Sequence, residues 1–109
     1  MPARLNIDDA LAAQAAVLSV SGVASMHAGR HGEVAMLYPH ERVVGLKPLH
    51  RGGADGLEVH VVADISAGRN LNELADDVRH QVQTVTGMSL IDVTVGDISE
   101  SFQPDNTPA

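Results

Sequence analysis

The stretch LEVHVVADIS at residues 57–66, followed by LNELADDVRHQVQTV at residues 71–85, decides the fold. In the first stretch every second side chain is apolar: Leu57, Val59, Val61, Ala63 and Ile65. The positions between them are mostly polar: Glu58, His60, Asp64 and Ser66. This alternation predicts a strand with one side in the core and the other side facing water.

The second stretch has helical spacing, with apolar residues on one face: Leu71, Leu74, Ala75, Val78, Val82 and Val85. Asn70 is a suitable N-cap, Glu73 follows at the capping-box spacing, and Gly87 marks the end. A further strand is predicted over residues 90–97, where Ile91 and Val93 alternate with polar residues. Because such β-α-β units cross over in one direction, the two strands are expected to be parallel neighbours in one sheet.

The N-terminal half predicts one more helix and a meander of strands. The helix covers residues 7–20, with Asn6 as N-cap and Gly22 as C-cap. Its predicted apolar stripe has four members: Ile7, Leu11, Ala15 and Leu18. Extended segments follow at 23–28, 34–38 and 43–49, and Pro48 indicates an edge or a bulge. Glycine-rich turns are predicted at 29–32 and 51–56.

These elements predict an α+β fold in the order α-β-β-β-β-α-β. We expect a two-layer sandwich in which two helices cover one face of a mixed sheet of about four to five strands. A single domain is predicted over residues 7–98, with a flexible N-terminus at 1–6 and a disordered tail at 99–109.

Composition narrows the function classes. The chain has 109 residues, is 44% hydrophobic but only 2% aromatic, and contains no cysteine, which excludes disulfides and thiolate chemistry. Its net charge of -7 argues against general affinity for nucleic acid or anionic lipid. The longest apolar helical stretch, residues 10–20, is too short to cross a bilayer, so no direct membrane insertion is expected. We predict a cytoplasmic protein.

Five segments of the chain carry a resemblance to a known family: Ser21-Gly22-Val23, residues 57–62, residues 68–75, Val78-Arg79 and residues 91–98. Together they resemble the alkaline shock protein family of envelope stress response proteins from Gram-positive bacteria. The likeness covers residues 7–98, but residues 40–56 match only loosely, and Ser66-Ala67 stands where the family often has an aromatic residue. The resemblance implies a non-enzymatic protein that acts through self-association or partners. Because no anchor is visible, we expect a membrane-anchored partner to recruit it to the inner face of the membrane.

Two candidate partner surfaces follow from the pattern. One is the polar side of the predicted central strand, with Glu58, His60 and Asp64. The other is the basic segment with Arg42, Lys47 and Arg51. No catalytic, cofactor-binding or metal-binding residues are assigned.

Two alternatives of other classes stay open. Residues 29–32 and 53–56 both match the GxxG pattern with which one RNA-binding module clamps its ligand, although the acidic charge makes nucleic acid an unfavoured partner. Six histidines also leave room for a metal-dependent enzyme. The candidate ligands are His27 and His31, His60 and Asp64, or Asp76 and His80.

Overall fold

A computed structural model of the protein describes residues 5–100. Its helices and strands are α1 (Ile7–Leu18), β1 (Val23–Met26), β2 (Ala35–Tyr38), β3 (Glu41–Val44), β4 (Leu46–Arg51), β5 (Ala54–Asp64), a 3-10 turn (Ile65–Ala67), α2 (Leu71–Thr86) and β6 (Leu90–Ser99). The fold is α+β, as predicted, with both helices packed on one face of a mixed four-stranded sheet.

β5 is the central strand of that sheet. Its first half pairs antiparallel with β4 and its second half with β1, so these two strands lie end to end along one edge of β5. β6 pairs with the opposite edge and is parallel to β5, which confirms the predicted β-α-β unit. A register shift between Val61 and Val62 leaves Gly96 outside the parallel ladder.

The predicted extended piece over residues 43–49 is instead two strands in two different sheets. β3 pairs with β2 in a separate two-stranded sheet, and β4 joins the main sheet. Gly45 lies between them with a φ of 90°, a conformation that side-chain-bearing residues rarely adopt. Its N–H donates to the carbonyl of Val34, the residue before β2 (2.9 Å), and its carbonyl accepts from the His60 N–H of β5 (2.8 Å).

The turn predicted over residues 51–56 is shorter in the structure. Gly52 and Gly53 alone form it, with φ values of 59° and 81°, and Arg51 pairs directly with Ala54. Positive φ at both central residues is the hairpin geometry that matches the twist of the strands. Pro48 lies in β4, which hydrogen-bonds along one edge only among the described strands, as its proline predicts.

The core lies between the sheet and the two helices. On β5 it takes Leu57, Val59, Val61 and Ala63, each at most 1% exposed. Ile65, which the alternation predicts to continue this set, is 55% exposed because the chain has left the sheet for the 3-10 turn. Within residues 5–100 no polar or charged side chain is buried.

The helix α1 buries a different face from the predicted one. It ends at Leu18 with Ser19 as C-cap, and its buried residues are Ala10, Ala13 and Val17. Leu18 is 46% exposed, whereas Ile7 and Leu11 pack at the margin of the core. Two alanines on the buried face allow neighbouring elements to approach α1 closely. On this helix the small size of a side chain therefore decides its burial more than its hydropathy does.

The predicted flexible N-terminus and disordered tail lie mostly outside the described residues. Of the predicted N-terminus, Leu5 is buried in the core and its carbonyl accepts a hydrogen bond from the Tyr38 hydroxyl (2.9 Å). Asn6 caps α1 by accepting from the Asp9 N–H (2.8 Å). At the other end β6 continues to Ser99.

Candidate functional site

The side of the four-stranded sheet that faces away from the helices is the candidate site. We name it the open face and define it by ten residues: Lys47, Leu49 and Arg51 of β4; Glu58, His60, Val62 and Asp64 of β5; Leu90, Asp92 and Thr94 of β6. Because both helices pack on the odd-numbered side chains of β5, no helix of the described chain covers its even-numbered ones. All ten are partly or fully exposed.

The strand register joins the two surfaces that the sequence predicts separately. Lys47 of β4 pairs with Glu58 of β5, and Glu58 pairs with Asp92 of β6, so the three residues form one row across the sheet. Arg51 follows Lys47 on the same side of β4, four residues further along. The basic side chains of β4 and the polar side chains of β5 therefore belong to a single surface.

An ion pair spans the open face from one outer strand to the other. Arg51 donates to Asp92 (2.5 Å), although β5 separates their strands. Gly56 lies in the row between theirs and has no side chain that could occupy this path. The glycine is also required by packing, since a Cβ at this position would lie 1.9 Å from the Leu90 carbonyl oxygen.

A side-chain hydrogen bond orders the middle of the open face. His60 Nε2 lies 3.0 Å from Glu58 Oε1, and the His60 side chain is only 17% exposed. The two residues are neighbours on one side of β5, where the alternation of the strand brings them together. Glu58 thus has His60 beside it along the strand and Lys47 beside it across the strand.

Asp64 is on the same side of β5 but has a local structural role. Its Oδ1 accepts from the Ser66 N–H (3.0 Å) and from the Ser66 hydroxyl (2.7 Å), which starts the 3-10 turn. His60 and Asp64 therefore each interact with a different neighbour and do not form the metal pair that the sequence leaves open.

Arg42 lies apart from the other two basic residues of its predicted group. It is on β3, in the two-stranded sheet, and its guanidinium donates to the Gly32 carbonyl. The predicted basic segment is therefore split at Gly45, where the chain passes from one sheet to the other.

The first glycine turn is held by its own carboxylate. The Glu33 carboxylate accepts from the His31 N–H (2.9 Å). Hydrogen bonds from two backbone N–H groups, first that of Glu33 itself and then that of His31, lower the pKa of Glu33. In a phosphate-binding loop such N–H groups would face the ligand. Here a carboxylate takes that position, and the loop joins β1 to β2 instead of two helices. The second turn runs straight into β5.

The histidines are distributed over several local contacts. His27 accepts from the Gly29 N–H (3.1 Å) and lies against Gly96, whereas His50 contacts Asp55 (2.8 Å). Within residues 5–100 no group of three or more histidine, aspartate or glutamate side chains is arranged to hold a metal ion.

Leu49, Leu90 and Asp92 belong to the open face but are not among the predicted site residues. The signal for Asp92 is in the sequence: it alternates with Ile91 and Val93 on a strand expected to be parallel to β5. Leu49 and Leu90 carry no such signal, because nothing local distinguishes an apolar residue at a surface row from one in the core.

Comparison of the chain with protein-family models, with curated proteins and with solved structures finds no match. The likeness to the alkaline shock protein family accordingly stays a prediction from sequence. Among the described residues, no helix combines the length and the apolar character that a membrane crossing requires.

Proposed function

We propose that this chain is a non-enzymatic interaction protein whose binding surface is the open face. The observation that carries the proposal is the ordered layer of polar and charged side chains on a sheet face that no helix of residues 5–100 covers. Arg51 and Asp92 are joined at 2.5 Å and Glu58 and His60 at 3.0 Å, so these side chains are held in place before any partner arrives. Side chains fixed in advance lose less conformational entropy on binding.

The chemistry of the surface suits a protein partner. Partly exposed apolar side chains (Leu49, Val62 and Leu90) lie among charged ones, and arginine is a residue that interfaces favour. A flat sheet face that exposes both apolar and charged side chains is suited to binding another protein. A small substrate, in contrast, needs a concave site.

The envelope connection rests on the resemblance stated above. With a net charge of -7, the protein has little electrostatic attraction to an anionic lipid surface. We therefore place it in the cytoplasm, where it associates with itself or is brought to the inner face of the membrane by a membrane-anchored protein. Its role there would be in the response to envelope stress.

Site-specific photo-crosslinking in living cells tests this function. The crosslinking amino acid replaces Thr94 on the open face or, as the matched control, Gln81 on the exposed side of α2. We expect Thr94 to give crosslinks to a second copy or to an envelope-associated protein, and Gln81 to give neither. Equal products from both positions, or ribosomal proteins as the main products, would contradict the proposal.

Charge reversal sharpens the same experiment. The double variant Lys47→Glu/Arg51→Glu alters the open face, whereas Arg42→Glu alters the other sheet and serves as its control. The Thr94 crosslinks should disappear in the double variant and persist in the control. Their persistence in both variants would exclude the basic side of the open face from the interaction.

A further inference from the structure

The charges of the open face are sorted by strand. Its outer strand β4 contributes two bases, Lys47 and Arg51. On the opposite outer strand, β6 contributes Asp92. Asp97, which is not one of the ten residues that define the open face, pairs with Val62 beyond the register shift and adds a second acid at the same edge. Because the Arg51 guanidinium reaches across the row of Gly56 to Asp92 (2.5 Å), the base that stays at the β4 edge is Lys47. It lies opposite the acidic edge formed by β6, with Glu58 and His60 between the two edges.

From this layout we infer that the partner of the open face is a second copy of this chain, bound face to face about a two-fold axis parallel to β5. This inference rests on the proposed function and specifies its partner. Such an axis places the basic β4 of each copy over the acidic β6 of the other. A two-fold axis across the strands would instead place β4 over β4, which brings like charges together and costs free energy.

The strand register also identifies the contact between the two copies that favours this arrangement. Lys47 and Asp92 lie in the same row, on either side of Glu58. Rotation about an axis along β5 exchanges the two sides of that row, so Lys47 of each copy faces Asp92 of the other. Because the axis is two-fold, the contact occurs twice in each dimer. Stacked sheets with strand directions within about 30° of each other are a common packing geometry and preserve this opposition.

The size of the face sets the expected strength of the dimer. Three strand positions about 4.8 Å apart and roughly ten residues about 3.3 Å apart give a flat face of approximately 450 Å² per copy. This area is below the roughly 800 Å² per partner of a standard specific interface and falls in the range of weak, transient contacts. The dimer should therefore be weak and concentration-dependent, with its affinity reduced by salt.

The arrangement contains one repulsive element that can be tested separately. Glu58 is in the middle of the central row, so the two Glu58 side chains meet near the axis. In each copy the cationic Lys47 is beside Glu58 and reduces the repulsion. The variant Glu58→Gln should consequently tighten the dimer several-fold, although it removes a charge from the binding surface. If the open face bound only a different protein, the Glu58→Gln variant and the wild type would have the same mass in solution.

The direct test mixes two variants that are each expected to be monomeric. Lys47→Glu places two acids in each contact, and Asp92→Lys places two bases there. In an equal mixture, the new acid of the first variant faces the new base of the second, and the remaining contact keeps the natural Lys47 and Asp92. Sedimentation velocity at low salt should show monomers for each variant alone and a heterodimer for the mixture, with circular dichroism confirming that both are folded.

Failure of this inference is distinct from failure of the proposed function. A wild-type protein that remains monomeric up to millimolar concentration, or a mixture that remains monomeric while the wild type dimerises, overturns the face-to-face pairing. If Thr94 still crosslinks to an envelope-associated protein in cells, the open face remains the interaction surface and only its partner changes.

Discussion

The two sides of β5 belong to one strand but differ in burial and in the polarity of their side chains. On the helix side, four consecutive odd-numbered residues are at most 1% exposed and all are apolar. On the open face, Glu58 and His60 are joined by a side-chain hydrogen bond (3.0 Å), and their side chains are 30% and 17% exposed. The comparison shows that the helix side supplies the buried core, whereas the polar side chains of the open face lie outside that core and are expected to contribute less to folding.

The largest expected effect comes from placing a charge on the helix side. Val59 is 0% exposed, so Val59→Asp would bury a carboxylate without a partner and should cost about 3–5 kcal/mol, close to the full stability of a small domain. Urea denaturation followed by circular dichroism measures this loss. His60→Thr, one residue further on the open face, is the control and should cost less than about 1 kcal/mol. Similar losses for both variants would contradict the division between the two sides.

Gly56 should give the next largest effect, because it lies in a row of the open face yet is fixed by packing. A Cβ there would lie 1.9 Å from the Leu90 carbonyl oxygen, so Gly56→Ala must displace β6 and should cost about 2–3 kcal/mol. Gly52→Ala is the matched control: its Cβ meets nothing within 4 Å, and only its positive φ costs about 1 kcal/mol. Equal midpoints in urea for the two variants would show that β6 can move away without cost.

The Arg51–Asp92 pair should contribute little to folding, and its part in association is to hold the Asp92 carboxylate in place for Lys47 of the second copy. Its side chains are 60% and 43% exposed, and exposed pairs are worth about 0–1 kcal/mol. Arg51→Ala should therefore leave the urea midpoint nearly unchanged while it weakens dimerisation in sedimentation velocity. A drop in stability comparable to that of Gly56→Ala would assign this ion pair to the fold and not to recognition.

Most of the main sheet was predictable from the sequence. β5, α2 and β6 each show a strong period, which predicts their order and the parallel pairing of the two strands. The Asn70 side chain caps α2 by accepting from the N–H groups of Asn72 (2.8 Å) and Glu73 (3.3 Å). The break at Gly45 was missed because the extended pattern continues on both sides of it. Only the three-dimensional pairing of this glycine with Val34 and His60 shows that two sheets meet there.

The other differences also arise from long-range packing. An alanine-rich helix has apolar residues on several faces, so its period did not identify Ala10 and Ala13 as the buried ones. Similarly, the charges of the open face were individually visible in sequence. Their grouping into a basic and an acidic edge depends on the registers of β4 and β6 with β5, which no local pattern contains.

The smallest expected effect is the acid dependence of the first glycine turn. Backbone N–H donors lower the pKa of Glu33, so the carboxylate stabilises the folded state above the usual pKa of 4.5, and this contribution is lost as the pH falls through the lowered pKa. Glu33→Gln should lower the melting temperature by about 1 °C at pH 7 and by less at pH 3. A difference that grows at pH 3 would reverse the sign and contradict the role of this carboxylate.

Zero-length crosslinking with a carbodiimide tests the central claim, that the open face pairs with itself, most directly. Lys47 is the only lysine of the chain, so lysine-to-carboxylate amide bonds can start only from the open face. We would treat an equal mixture of unlabelled and ¹⁵N-labelled protein and identify the joined peptides by mass spectrometry. The account predicts mixed-isotope products in which Lys47 is joined to Asp92. Products that join Lys47 only to Glu58 of the same chain would contradict it.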